Sequence, residues 1–452
     1  MQRSSNDSLT EWCLIESNPC IFNDMLSRMG AKDLSVEDVY DLDFFDDYIS
    51  NRDVVTVENV LSMNEYQSEK EKNGWVNPMG EGTGESNPVG STTGETSPQK
   101  GLYSSTVTTD VKYNKLLKNE SNIFGIIFLF NIGKSYNRNK FVEHHIPEDL
   151  FFAKQVIPNA CATQAILSIV LNKEVELNEE IKNIKSFSSN FDSSMKGLTL
   201  SNCNFLRNIH NSYKPPIYIE KENLHDEKGK SNDSFHFVSY IQFGGSVYML
   251  DGLQEGPVLI GQTNGADEQR SWIDLAREHI KKEINDICNG TGGGNSMGEA
   301  AEGGDGRFNV LAVVKDKEHM INEFCNIHRI VKRRANLKLI SLGKEEVDLN
   351  DDIDEANFNY PNIPTVEELP NDMSELLLIS EKATGEINFL QSLLQEQMQL
   401  KLTWNKELTF KFFNFYPFVM SSLKLMAKHN ILKEAYEKQK QKHQQQHSRG
   451  AA

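Results

Sequence analysis

Apolar residues recur along this chain at two spacings, and each spacing predicts its own element. "EWCLIESNPCIFNDMLSRMG", Glu11 to Gly30, reads as a short strand followed by a helix. Ser17 or Asn18 can cap that helix, Pro19 sits in its first turn and Gly30 ends it. "IFGIIFLF", Ile123 to Phe130, and "RFNVLAVVK", Arg307 to Lys315, are unbroken apolar runs of strand length, too short to span a bilayer. "QVIPNACATQAILSIVLN", Gln155 to Asn172, takes up helical spacing, with Cys161 at the first turn of a helix over Ala162 to Leu171.

In "FHFVSYIQFGGSVYMLDGLQEGP", Phe235 to Pro257, two alternating runs flank Gly244-Gly245. Primed turns need positive φ, so this pair predicts a hairpin. With those two glycines as the loop, paired positions sum to 489, which sets His236 opposite Leu253 and Asp251 opposite Val238. His236 and Asp251 then share a face as diagonal neighbours, roughly 5.5–8 Å apart between backbones. A one-residue bulge would break that relation.

Between these elements the character changes. Residues 52–111 include "GEGTGESNPVGSTTGETSPQKG", and 289–306 read "NGTGGGNSMGEAAEGGDG"; both are too polar and Gly-rich to offset the entropy of ordering, and both are expected to be disordered insertions. Residues 8–331 are expected to form one catalytic domain around them, and 332–372 an acidic linker. From Met373 the apolar residues Leu376, Ala383, Ile387, Leu390 and Leu394 mark one helical face. An aromatic cluster, a break at Pro417 and another amphipathic helix follow, so 373–445 reads as a helical docking domain. The irregular alternation of strands and helices predicts an α+β fold with a mostly antiparallel sheet.

Composition narrows the function. The 452 residues carry a net charge of −18, which argues against nucleic-acid binding, and a hydrophobic fraction of 38%, in keeping with unfolded insertions. Six cysteines lie far apart without a C-x-x-C pair, which argues against a zinc site and a disulfide framework; no metal or cofactor is implied. "MQRSSNDSLTEW" has no apolar core of a secretory signal, so a reduced cytosolic or nuclear protein is expected.

Cys161 is open to two readings: a buried small hydrophobe, or a nucleophile. At a helix N-terminus the positive end of the dipole favours a thiolate. His236 could take up its proton and Asp251 could hold the ring, while the Cys161 N–H and the amide of Gln155 supply donors for an oxyanion. The bland alternative for His236 and Asp251 is a polar couple on a solvent face.

These blocks together resemble the ubiquitin carboxyl-terminal hydrolase family of cysteine peptidases. "EWCLIESNP", "FFAKQVIPNACATQAILSIVLN", "MKGLTLSN", the hairpin block and "RFNVLAVV" follow in that family's order. The resemblance implies Cys161 as nucleophile, His236 as general base and acid, Asp251 as its orienting group and Gln155 as oxyanion donor. It further implies a papain-like α/β/α layered, knotted domain, with a crossover loop at Lys214 to Ser234 limiting access. Pro158 departs from the pattern, since close relatives carry Asn there.

"FNFYPFVMSSLKLMAKHNIL" resembles the tail of the proteasome-associated branch, which implies a ubiquitin receptor of the proteasome regulatory particle as partner of 373–445. The expected function is cleavage after the C-terminal glycine of ubiquitin or a close ubiquitin-like modifier, deneddylation included. No nucleic acid or membrane partner is expected. The rivals are a proteasome-bound scaffold with a closed active site and a papain-type protease of unfolded peptides.

Overall fold

The computed structural model describes residues 12–51, 112–132, 142–143, 146–214, 235–263, 270–290, 308–344, 347, 355, 363–434 and 436–439. The insertion at 52–111, nearly all of the one at 289–306 and the crossover segment at 215–234 lie outside them.

Helix α1 (Pro19–Met29) forms where the sequence places its punctuation. The Asn18 side chain accepts the Cys20 N–H at 2.8 Å, Pro19 opens the first turn, and Gly30 closes the helix at φ 88°. Strand β1 (Leu34–Asp38) follows, then a short helix α2 (Asp46–Ser50) and the apolar strand β2 (Ile123–Asn131). Helix α3 (Cys161–Val170) leads to α4 (Glu179–Ser188), α5 (Ser193–Asn202) and α6 (Asn204–Asn211). The hairpin β3 (Phe235–Phe243) and β4 (Ser246–Leu250), strand β5 (Val258–Gln262), helix α7 (Trp272–Gly290) and strand β6 (Phe308–Lys315) complete the body. Three long elements close the chain: α8 (Lys317–Ser341), α9 (Met373–Phe412) and α10 (Tyr416–Lys428).

The six strands form one sheet in the order β1-β6-β2-β3-β4-β5, with every pairing antiparallel. Alternation along the strands divides the core. Phe237, Ile241, Tyr248 and Leu250 face α1 and α3, where Phe22, Met25, Ile166 and Val170 are buried. Val238, Tyr240, Val247 and Met249 face α7, with Ile273, Ala276 and Ile280. The result is a helix/sheet/helix sandwich, the α+β class that the sequence predicts.

A third core lies between α8 and α9. Leu376, Ile379, Ala383, Ile387 and Leu390 are buried along one stripe of α9, and most of them pack with Phe324, Ile327 and Val331 of α8. Each fully buried leucine or isoleucine there contributes roughly 1.5–3 kcal/mol, enough to hold α9 on α8. The far end of α9 returns to the body. Lys401 meets Asp316 and Glu318 at 2.6 Å each, and the Phe412 ring lies 5.9 Å from Tyr213.

Three expectations need correcting. Residues 12–18 form no strand; the first strand among the described residues is β1, after the helix. Helix α8 runs unbroken across 331, so the polar connection begins after Ser341 instead of at 332. The hairpin register is as expected, with Phe243 opposite Ser246 and Ser239 opposite Leu250, but the ladder stops there. His236 lies opposite Phe130 of β2, not Leu253, and Asp251 begins a turn instead of pairing with Val238. Among the described residues, no helix is long and apolar enough to cross a membrane.

Candidate active site

The segment 151–160, which delivers the chain to α3, belongs to no helix or sheet, so its backbone groups need other partners. Asn172 brackets Phe151, accepting its N–H at 2.7 Å and donating to its carbonyl at 2.8 Å. The Gln164 side chain donates to the Ala153 carbonyl. Lys154 N–H donates to the Ser193 carbonyl and Gln155 N–H to the Gly252 carbonyl, both at 2.8 Å. Asn159 then turns the chain into the helix at φ 67°, a left-handed conformation Asn tolerates, and its amide donates to the Trp12 carbonyl at 3.0 Å.

Cys161 is the first residue of α3, and Ala160 at the N-cap offers no side-chain acceptor. The first-turn N–H groups therefore keep their capacity to bind an anionic atom beside the sulfur. Two residues on, the Thr163 hydroxyl donates to His210 Nδ1 at 2.7 Å, while His210 Nε2 donates to the Cys13 carbonyl at 2.7 Å. The Trp12–Cys13 segment thus grips the turn of Cys161 from both sides, through Asn159 and through His210.

The last residues to arrive come from the hairpin. His236 Nε2 lies 2.6 Å from Asp251 Oδ1, and both side chains are buried. The same imidazole is hydrogen-bonded to the Cys161 side chain. Phe130 packs edge-on against the imidazole, with ring centroids 6.0 Å apart. Burial works against the imidazolium, but the hydrogen bonds to Asp251 and Cys161 and the charges of both raise the His236 pKa to about 9. Asp251 is itself held by the Leu253 N–H on Oδ1 at 2.9 Å and by the Gln254 amide on Oδ2 at 3.1 Å.

Gln155 is held differently. Its side-chain amide donates to the Ile157 carbonyl at 3.1 Å, which orients it along the 155–160 turn and leaves a second N–H on the same nitrogen. Gly252 permits the approach of this segment to the Asp251 turn. A Cβ at that position would fall 2.6 Å from Gln164 Nε2 and 2.9 Å from Gln155 Cβ.

The sequence-derived quartet is therefore drawn to one place: Cys161, His236 and Asp251 in direct succession, with Gln155 tied by its backbone to the glycine after Asp251. The residues the pattern did not single out are Asn159, Asn172, Gln164, Gln254 and His210. Their signal was faint, because a lone polar residue does not reveal in sequence the burial that demands a bonded partner. Among the described residues, no group of His, Cys, Asp and Glu is arranged to hold a metal.

The profile of "Ubiquitin carboxyl-terminal hydrolase, family 1" matches residues 97–285, the stretch that carries all four of these residues. The chain is similar to the ubiquitin carboxyl-terminal hydrolase UCH54 of Plasmodium falciparum, 53% identical across 98% of this chain and 99% of that one. It is also similar to the ubiquitin carboxyl-terminal hydrolase isozyme L5 of Dictyostelium discoideum, 28% identical across 96% of this chain and 98% of that one. Among solved structures it is similar to Trichinella spiralis UCH37 bound to ubiquitin vinyl methyl ester, with TM-score 0.44 and 21% identity over 87% of this chain and 99% of the other. Identity of 53% sustained from end to end goes beyond a likeness of fold: the chain belongs to the ubiquitin carboxyl-terminal hydrolase family and is a cysteine-type ubiquitinyl hydrolase.

Proposed function

We propose that the protein cleaves the bond after the C-terminal glycine of ubiquitin or of a close ubiquitin-like modifier, with Cys161 as nucleophile. The observation that carries this reading is the succession Cys161–His236–Asp251, a thiol against an imidazole that a buried carboxylate orients. Such a series transfers an acyl group in two balanced steps. The Cys161 sulfur, as thiolate, bonds to the glycyl carbonyl carbon, and the electron pair displaced onto oxygen is held by the Cys161 N–H and the Gln155 amide. The tetrahedral adduct collapses as His236 gives its proton to the leaving nitrogen. His236, now neutral, takes a proton from water as the hydroxyl oxygen adds to the thioester. Collapse then releases the glycine carboxylic acid, which gives its proton to solvent, and returns the thiolate–imidazolium pair.

The test is a ubiquitin probe with an electrophile at its C-terminus. Covalent labelling at Cys161, abolished in Cys161→Ala, is expected; a folded wild-type protein that stays unlabelled refutes the reading. The same probe, built on a ubiquitin-like modifier, tests the extension to deneddylation. A second reading, a ubiquitin-holding scaffold with a closed site, draws support from the burial of Cys161 itself at 8% exposure. Tight binding of ubiquitin without labelling is its signature.

The tail extends the proposal to a partner. Helix α10 has no buried residue, and Phe418, Leu425 and Phe413 on and before it stand out to solvent. Large exposed apolar groups grouped in this way favour an interface. The reading is a tail, residues 373–445, that docks on a ubiquitin receptor of the proteasome regulatory particle, in a cytoplasmic or nuclear protein. Co-sedimentation of the full chain with proteasomes, lost when the chain ends at 412, is the measurement for it.

A further inference from the structure

Asp251 is a buried carboxylate with two oxygens to satisfy, and they have different partners. Oδ1 receives His236 Nε2 at 2.6 Å and the Leu253 N–H at 2.9 Å. Oδ2 receives the side-chain amide of Gln254 at 3.1 Å. Gln254 is as inaccessible as Asp251, both at 0% exposure, and its own N–H closes the turn onto the Asp251 carbonyl at 2.9 Å. A polar side chain in the connection between two strands would ordinarily face water. Here it is folded under the turn with its amide against the carboxylate.

We infer that Gln254 is a positioning residue for the proposed reaction: by fixing the second oxygen of Asp251 it sets the plane of the carboxylate and, through it, the orientation of His236 toward Cys161. This inference rests on the catalytic roles proposed above. Rotation of the carboxylate about its bond to Cβ would misdirect the hydrogen bond that holds the imidazole, and a donor on Oδ2 restricts that rotation beyond what the two donors on Oδ1 achieve. It also withdraws part of the negative charge that retains the imidazole proton. Gln254 therefore acts on the geometry of His236 and on its basicity together, and a packing residue would do neither.

Two substitutions in the full-length protein separate these roles, read with ubiquitin carrying a fluorogenic amide on its C-terminal glycine. Gln254→Met keeps length and bulk but has no donor. Its kcat is expected to fall roughly tenfold, the size of one hydrogen bond to a charged group, with KM within about twofold of wild type. Its alkaline limb should move upward, because a carboxylate deprived of a donor holds the imidazolium proton more tightly. Gln254→Glu keeps the shape and can donate while it shares a proton with Asp251, so its activity should decline at a lower pH than that of wild type.

Wild-type kcat and pH profile in a folded variant overturn the inference, as does a loss of activity with the alkaline limb unmoved or lowered in Gln254→Met. Unfolding of both variants marks Gln254 as purely structural and overturns it too. A wild-type protein inert toward this substrate refutes the proposed function instead, whereas an active wild type with unaltered variants refutes this inference alone.

Discussion

The N–H of Gln155 donates to the carbonyl of Gly252 at 2.8 Å, so the segment that presents the proposed oxyanion donor is bonded to the residue directly after Asp251. Two parts of the site that come from distant stretches of sequence are thereby set against each other through backbone alone. The contact demands glycine, since a Cβ there meets Gln164 Nε2 at 2.6 Å and the Gln155 N at 3.1 Å. Gly252→Ala should push the two segments apart. Overpacking of this kind destabilises by about 1–3 kcal/mol, and a displacement near 1 Å at the site costs on the order of a hundredfold in rate. A variant that is folded by circular dichroism yet loses at least tenfold in kcat/KM is expected; unaltered kinetics would show that the approach is not needed.

The amide of Gln155 should matter in the transition state and not before it. The loss of one oxyanion donor costs about 10²–10³ in turnover. Gln155→Ala is therefore expected to reduce kcat by that order while ubiquitin binds with unchanged affinity, as measured by calorimetry on Cys161→Ala and Cys161→Ala/Gln155→Ala proteins. Near-normal turnover by Gln155→Ala would remove Gln155 from the mechanism.

The pH profile of the reaction follows from His236. With its pKa raised to about 9, it retains through neutrality the proton that the leaving nitrogen requires. Acylation should hold its rate up to that region and fall above it. In Asp251→Asn the hydrogen bond and the charge that raise the pKa are weakened, so the alkaline limb should move to lower pH as kcat drops. Stopped-flow acylation rates from pH 6 to 10 are the measurement. An alkaline limb that is the same in both proteins would detach it from the His236–Asp251 pair.

The reading of the hairpin shows how far sequence reaches. Gly244 and Gly245 stand at φ 55° and 76°, and the positive φ they allow is what made both the turn and the register legible. The fate of positions beyond Ser239 and Leu250 was not legible, because alternation continues in the sequence while the ladder ends. Yet His236 and Asp251 still meet, Nε2 to Oδ1 at 2.6 Å, although both lie beyond the β3–β4 ladder. Strand β1 escaped notice because "LSVED" is short, half polar and paired on one edge alone.

The extent of α8 was hidden for another reason. Arg334 and Lys338 look like the solvated start of a linker, but both fold back to donate to carbonyls at Ile363, Pro364 and Glu367. Asn172, Gln164 and Gln254 were invisible in the same sense. A lone polar residue gains its meaning from burial, and burial is a property of the assembled fold.

The buried histidines should give stability a maximum near pH 6.5. His210, buried and neutral between Thr163 and Cys13, has its pKa lowered to about 4, first by desolvation. His328, against the Tyr113 hydroxyl at 2.7 Å, is lowered to about 3. Below 6.5 the unfolded chain takes up protons that these two refuse, so each removes about 1.4 kcal/mol of stability per pH unit as pH falls toward its folded pKa. His236 acts in the other window: its contribution is complete below 6.5 and is lost as pH rises through about 9. His210→Gln can still donate to Cys13 and accept from Thr163, but it does not titrate. Denaturant unfolding between pH 4.5 and 6 should show its stability falling less steeply than that of wild type. Equal slopes would mean that His210 is protonated in the folded protein.

The two tail helices should respond to truncation in opposite ways. Leu390 is fully buried between α9 and α8, in the cluster with Tyr113, Phe324 and Leu376. Leu390→Ala removes buried methyl groups and leaves a cavity, at a cost of about 2–5 kcal/mol. Phe418, 68% exposed on a helix with no buried residue, has no core to leave, so Phe418→Ala should alter stability by less than about 0.5 kcal/mol. If α10 docks as proposed, however, the same substitution strips an aromatic anchor from the interface, where such losses reach about 2 kcal/mol or more. Thermal unfolding and proteasome co-sedimentation of both variants therefore form a crossed experiment: Leu390→Ala melts early, whereas Phe418→Ala melts with wild type and fails to bind. Wild-type binding by Phe418→Ala would leave its exposed ring outside the docking surface and return the burden of that proposal to Phe413, Phe415 and Leu425.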